Sequence, residues 1–145
     1  MSYLNKLTCC SHLRPILHPA LRKKTIRKCI KTLKKYSDQF DSIAVCGYSM
    51  ALIAPVVADK LNKSLIIVRK DNEHRASWCE AEGEHSTKYI IIDDLIYSGE
   101  TYTMVVNKIK ENLVPDAECV GVYLYCPEVQ EMSEEAKELN INFLT

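Results

Sequence analysis

Two adjacent carboxylates, Asp93 and Asp94, leave the end of the wholly apolar run Tyr89-Ile90-Ile91-Ile92, and a small, hydroxyl-rich turn containing Ser98, Gly99 and Thr101 follows within a few residues. Carboxylates so placed accept hydrogen bonds from sugar hydroxyls or meet a hydrated Mg²⁺. In such a turn, backbone N–H groups and hydroxyls surround an anion at the positive end of a helix dipole, and Gly99 lets the backbone approach closely. Acids beside a phosphate cradle suggest a site for a sugar phosphate. Asp93 and Asp94 are also what a solvated strand end carries, and Ser98 and Thr101 what a plain helix cap uses; cap and cradle are compatible roles.

Other elements must hold these residues in place. The apolar runs 42–46, 65–68, 89–92 and 119–125 have the length and β-branched content of strands covered on both faces. Between them, Ile26, Cys29, Ile30, Leu33 and Tyr36 recur at helical spacing within 21–36, with Lys and Arg on the other face. Further helices are predicted at 50–61 with Pro55 in the first turn, at 101–113, and at 133–139 behind the cap signal Ser133-Glu134-Glu135, with a last short strand at 141–144. The polar stretch 69–88 reads as a loop with room for a hairpin. Strands alternating with helices predict an α/β fold, a mostly parallel central sheet flanked by helices. Ligands of such sheets sit beyond the carboxyl ends of the strands. Three segments fall there: Gly47-Tyr48-Ser49, Arg69-Lys70 with the loop behind it, and residues 93–101.

At 145 residues the chain is expected to be one domain, 1–145, with a basic N-terminal segment 1–41 and a core at 42–125. No apolar run approaches the ~18–20 residues that cross a bilayer, and no charged-then-apolar leader opens the sequence, so a soluble, cytoplasmic protein is expected. Seven cysteines, an odd number with no C-x-x-C pair, predict buried free thiols and no zinc site. Net charge is zero, yet residues 1–41 hold ten Lys and Arg against two Asp, while 42–145 hold nine against seventeen acids. Such a basic segment can dock nucleic acid, hold an anionic ligand, or pair with the acidic remainder of its own fold or of a second subunit. The last two need no extra partner; that asymmetry, with Trp78 in a polar loop, leads to an expected homodimer, the neutral total charge speaks against nucleic acid, and no membrane partner is expected.

The run Tyr89-Ile90-Ile91-Ile92-Asp93-Asp94-Leu95-Ile96-Tyr97-Ser98-Gly99-Glu100-Thr101 resembles the phosphoribosyl-pyrophosphate (PRPP) motif of the type I phosphoribosyltransferases: four apolar residues, two acids, two apolar residues and a small-residue turn closed by Thr. Upstream, Ala44-Val45-Cys46-Gly47-Tyr48-Ser49-Met50-Ala51 is similar to the family's pyrophosphate loop, and Val68-Arg69-Lys70 to the strand end before its flexible catalytic loop. The resemblance covers roughly 42–125. It implies that Asp93 and Asp94 hold the ribose 2- and 3-hydroxyls and that Tyr97, Ser98, Gly99, Glu100 and Thr101 hold the 5-phosphate. Gly47, Tyr48 and Ser49 would face the pyrophosphate, with Arg69 and Lys70 helping to neutralise it. His74 or Arg75 would close over it as it departs, completing a catalytic set with the two acids. Mg²⁺ would arrive mainly through PRPP, with water-mediated links to Asp93 and Asp94.

The activity so implied is transfer of ribose 5-phosphate from PRPP to a nitrogenous base with release of pyrophosphate, as in nucleotide salvage. Tyr97 stands where family members acting on 6-oxopurines carry an acid. The loop 70–88, with Asp71, Glu73, Glu80, Glu82 and Glu84, lacks the Lys-rich arrangement of orotate enzymes. The acceptor therefore stays open between orotate and a purine-like base. A hood over the base would come from the N-terminal segment and the short C-terminal tail. Because the loop is acidic, with His74 and Arg75 its basic candidates, a non-catalytic PRPP- or nucleotide-binding regulator of the same fold is the alternative. Trp78 reads as an anchor for the closing loop or for a neighbouring subunit, and His12, His18 and His85 as surface residues.

Overall fold

The structure, a computed structural model, describes residues 13–70, 78–127 and 131–145. The β-branched apolar runs form strands: β1 (Ser42–Cys46), β2 (Ser64–Val68), β4 (Lys88–Asp93) and β5 (Glu118–Leu124), with a short β3 (Ala81–Gly83) between β2 and β4. They make one sheet in the order β3-β2-β1-β4-β5. Every pairing is parallel except β2 with β3, so the 69–88 stretch does contain the hairpin its length allowed, at the edge of the sheet. All five residues of β1 and five of the six in β4 are buried, as central strands covered on both faces require.

Helices α1 (Arg14–Leu17), α2 (Pro19–Leu33), α3 (Gly47–Ala51), α4 (Ala54–Leu61), α5 (Glu100–Asn112) and α6 (Glu134–Glu138) complete the layers. Helix α2 buries Cys29 and Leu33 and leaves Lys23, Lys24, Arg27, Lys28 and Lys31 exposed, the amphipathic arrangement its periodicity predicted. Its cylinder ends earlier than 36, because the chain tightens into a 3₁₀ segment at Lys34–Gln39. That segment is tied down by the Lys63 ammonium, which donates to the carbonyls of Ser37 and Phe40, both at 2.7 Å, and sits over the Phe40 ring.

Two further expectations need correction. The helix predicted at 50–61 is two helices: the chain turns between Ala51 and Ala54, and Pro55 then occupies the first turn of α4, where its missing N–H costs nothing. The strand predicted at 141–144 is reduced to a single bridge between Phe143 and Val122. Gly121 accounts for the close approach there, since a side chain at that position would meet Leu144 Cδ2 at 2.6 Å and the Asn142 carbonyl at 2.9 Å. Of the five described cysteines, Cys29, Cys46 and Cys126 are buried as expected, whereas Cys119 is half-buried and Cys79 exposed, and no helix among the described residues is long and apolar enough to cross a membrane.

The topology fixes where a ligand can sit. Leaving β1, the chain builds toward β2 on one side, whereas from β4 it builds toward β5 on the other. The order therefore reverses between β1 and β4, opening a crevice beyond their carboxyl ends. Cys46 pairs with Val68 and Asp93 with Leu124, so the last residues of these four strands lie along one rim.

Candidate active site

Each rim strand delivers a different chemical group. At the end of β4, Asp93 and Asp94 stay within the sheet's hydrogen-bond pattern, their carbonyls accepting from the N–H groups of Tyr125 and Cys126 at 3.1 and 3.0 Å. Their side chains fold back on the chain: Asp93 Oδ1 accepts from the Asp94 N–H at 2.8 Å, and Asp94 Oδ1 from the Leu95 N–H at 2.9 Å. Both residues are buried, at 7% and 9% exposure, which a solvated strand end would not be. Burial pushes the Asp93 carboxyl up to about 8. The side-chain hydrogen bond and charge of Asp94 act in the same direction, and the Asp94 N–H and the Lys70 ammonium oppose them. Burial therefore favours the protonated form of Asp93.

The chain then crosses Leu95 and Ile96 and turns at Ser98 and Gly99 into α5. Gly99 caps the helix at φ +80°, a conformation glycine adopts without a side-chain clash. Ser98 Oγ accepts from the Glu100 N–H at 3.3 Å, and the Thr103 N–H bonds the Gly99 carbonyl at 2.9 Å. Helix α6 braces this turn from behind: the Ser133 N–H donates to the Tyr97 carbonyl at 3.0 Å, while Leu139 and Ala136 pack against Gly99. At the end of β1, Gly47 has φ +74°, and Lys70, just beyond β2, lies over it, its Cε 3.4 Å from where a Cβ would stand.

A cavity of about 420 Å³ gathers Tyr48, Ser49, Lys70, Asp93, Asp94, Tyr97, Ser98, Gly99 and Thr101 around one space. Three separate strand ends thus converge on one space, bringing together the two acids, the N-terminal turn of α5 and the Lys70 cation, which also borders a neighbouring recess with Thr101. Gly47 shapes the wall beneath Lys70 without lining the cavity. Arg69 is not brought to it: the guanidinium pairs with Glu82 on β3 and donates to the Cys79 carbonyl at 3.2 Å, because alternation along the chain points it along the hairpin where Lys70 points to the crevice. Glu100 also stands outside, along the neighbouring recess lined by Lys70, Thr101 and Met104. His74 and Arg75 lie outside the described residues. Trp78 is 98% exposed.

Other contributors lacked a local signal. Leu13 and Tyr102 line the cavity, so the N-terminal segment does reach it. The C-terminal segment instead supports the turn from outside. Tyr125, just past β5, donates its hydroxyl to the Ser49 carbonyl at 2.9 Å and so ties α3, the helix that follows β1, to the strand beside the acids. Only its place at the end of a fourth apolar run hinted that it would come near.

No protein-family model matches the chain. Among curated proteins, the orotate phosphoribosyltransferase of Coxiella burnetii is 25% identical over 136 residues, which are 92% of this chain and 64% of that protein. Among solved structures, the UMP synthase of Leishmania donovani superposes with a TM-score of 0.63 at 25% identity, over 92% of this chain and 28% of that one. The adenine phosphoribosyltransferase of Thermoanaerobacter pseudethanolicus also gives 0.63, at 17% identity, over 90% of this chain and 83% of its own. The chain therefore spans less than two thirds of the curated relative it matches. In sequence and in architecture these matches lead to one conclusion, that this chain has the type I phosphoribosyltransferase fold.

Proposed function

We propose that the protein transfers ribose 5-phosphate from PRPP to a nitrogenous base and releases pyrophosphate. The observation that carries this reading is a cavity lined together by two buried carboxylates, the N-terminal turn of a helix and a lysine. A ligand that carries a phosphate, diol hydroxyls and a pyrophosphate is complementary to that set of groups. In this reading the turn from Tyr97 to Thr101 takes the 5-phosphate through N–H and hydroxyl donors, and the α5 dipole adds to their pull. Asp93 and Asp94 accept from the ribose hydroxyls and hold the ring. Tyr48 and Ser49 meet the pyrophosphate, and Lys70 supplies the positive charge that leaving oxygens need as the bond to the anomeric carbon lengthens. Positioning supplies much of the remainder of the rate.

The donor set also suits Mg²⁺, which binds through one or two carboxylates plus ligand phosphates and keeps much of its water. Asp93 and Asp94 are the residues that would hold it; when bound, it neutralises charge gathering on pyrophosphate. Arrival of the cation, or of a diol needing an acceptor, would favour the ionised form of Asp93, against the burial that raises its pKa.

The acceptor is orotate or a purine-like base, the two kinds named in the matched proteins. Incubation with PRPP, Mg²⁺ and a panel of bases, following pyrophosphate and nucleotide, tests the proposal. Nucleotide formed from one base supports it and identifies the acceptor. PRPP binding without turnover on any base makes the protein a PRPP-binding regulator, and absence of PRPP binding removes the reading altogether.

A further inference from the structure

Lys108 lies two turns along α5 from the phosphate turn and is buried, its side chain 10% exposed. A buried ammonium is costly unless paired, so what it holds is informative. It donates to the Arg69 carbonyl at 2.6 Å and pairs with Glu80 Oε2 at 2.8 Å. Arg69 and Glu80 are the two sides of one base, since the Arg69 N–H donates to the Glu80 carbonyl at 2.9 Å. Asn112, one turn further along α5, extends the clip: its Oδ1 accepts from the Glu80 N–H at 3.4 Å and its amide donates to the Lys108 carbonyl at 2.9 Å.

The Arg69 carbonyl belongs to the peptide that leads into Lys70. Fixing that carbonyl fixes the peptide plane, and with it the place of the Lys70 Cα from which its side chain reaches the cavity. We infer that Lys108 is a positioning residue that aims Lys70 into the cavity and makes α5 a ruler between the two anion-binding ends of the site. The helix offers its N-terminus to one anion, and about 10 Å along its axis the same rigid rod holds the mount of the cation for the other. This rests on the proposed function and deepens it by naming what sets the spacing between phosphate and pyrophosphate.

The test compares two probes, ribose 5-phosphate and inorganic pyrophosphate with Mg²⁺, by calorimetric titration of the whole chain. Lys108→Met is expected to weaken pyrophosphate binding about tenfold, the scale on which removal of a supporting partner acts, and to leave ribose 5-phosphate within about twofold. In a Lys70→Met background the same change is expected to alter pyrophosphate affinity by less than about twofold, because the group being aimed is gone. Lys108→Met alone strands a carboxylate, so Lys108→Met/Glu80→Met, which removes the pair together, serves where the single variant fails to fold. It is expected to show the same pyrophosphate-selective loss. Equal losses for both probes, unchanged pyrophosphate affinity, or an undiminished effect in the Lys70→Met background overturn the inference while the site reading stands. A wild-type chain that binds neither probe overturns both.

Discussion

Replacing Gly99 by alanine probes the turn that the phosphate reading depends on, and its cost follows from two separate terms. The residue sits at φ +80°, where an L side chain costs about 1–2 kcal/mol. The added methyl would also stand 2.5 Å from Leu139 Cδ1, far inside contact distance, while the next neighbour, Ala136 Cβ at 3.5 Å, is comfortable. Leu139 is 38% exposed and can swing away, so relief costs about the price of an off-rotamer side chain, roughly 1 kcal/mol. Gly99→Ala is therefore expected to destabilise the protein by about 2–3 kcal/mol in urea unfolding. In a Leu139→Ala background the steric part disappears and about 1–2 kcal/mol remains, a coupling of about 1 kcal/mol. The new methyl points toward α6, so ribose 5-phosphate affinity should fall through displacement of the turn and partly recover in the double variant. An identical cost of Gly99→Ala in both backgrounds would refute the claim that α6 braces this turn.

Three other outcomes are expected. Asp93 shifts from 3.8 to about 8 on folding, so the native state holds the extra proton across that interval and stability falls as pH rises through it, with no contribution below about pH 4. Asp93→Asn should flatten that slope in urea unfolding from pH 4 to 9 and be more stable than wild type at the alkaline end, while losing ribose 5-phosphate affinity; parallel pH curves would contradict the shift. Tyr125→Phe should cost about 1 kcal/mol and weaken pyrophosphate binding more than ribose 5-phosphate binding, since it frees the Ser49 carbonyl; titration with both probes decides. The Tyr89 hydroxyl is buried without a hydrogen-bond partner among the described residues, so Tyr89→Phe should raise stability by about 1 kcal/mol, seen as a higher urea midpoint at unchanged slope.

Asp93, Asp94, Ser98, Gly99 and Thr101 were legible because they form one contiguous piece: a strand end, a turn and a helix start. Each part is governed by local rules of burial, glycine conformation and capping that act over a few residues. The same locality made β1, β2, β4, β5 and α5 readable, and it failed where local signals were mixed. The 50–61 stretch keeps its apolar character across the break between α3 and α4, and 141–144 has strand composition but only one bridging partner.

Chain chemistry alone determined an α/β sheet with an acidic pair and a glycine-centred turn at one rim. Only tertiary structure decided which neighbours those groups have, because partners far apart in sequence meet by packing and carry no periodicity between them. Arg69 and Lys70 are adjacent and equally cationic; the antiparallel β3 claims the first for Glu82, and the crevice receives the second. Likewise Lys108, Tyr125 and Leu139 look like ordinary helix, strand and tail residues until the fold sets them against Arg69, Ser49 and Gly99. A carboxylate's identity is written in the sequence, but its burial, and hence its proton, belongs to the assembled sheet.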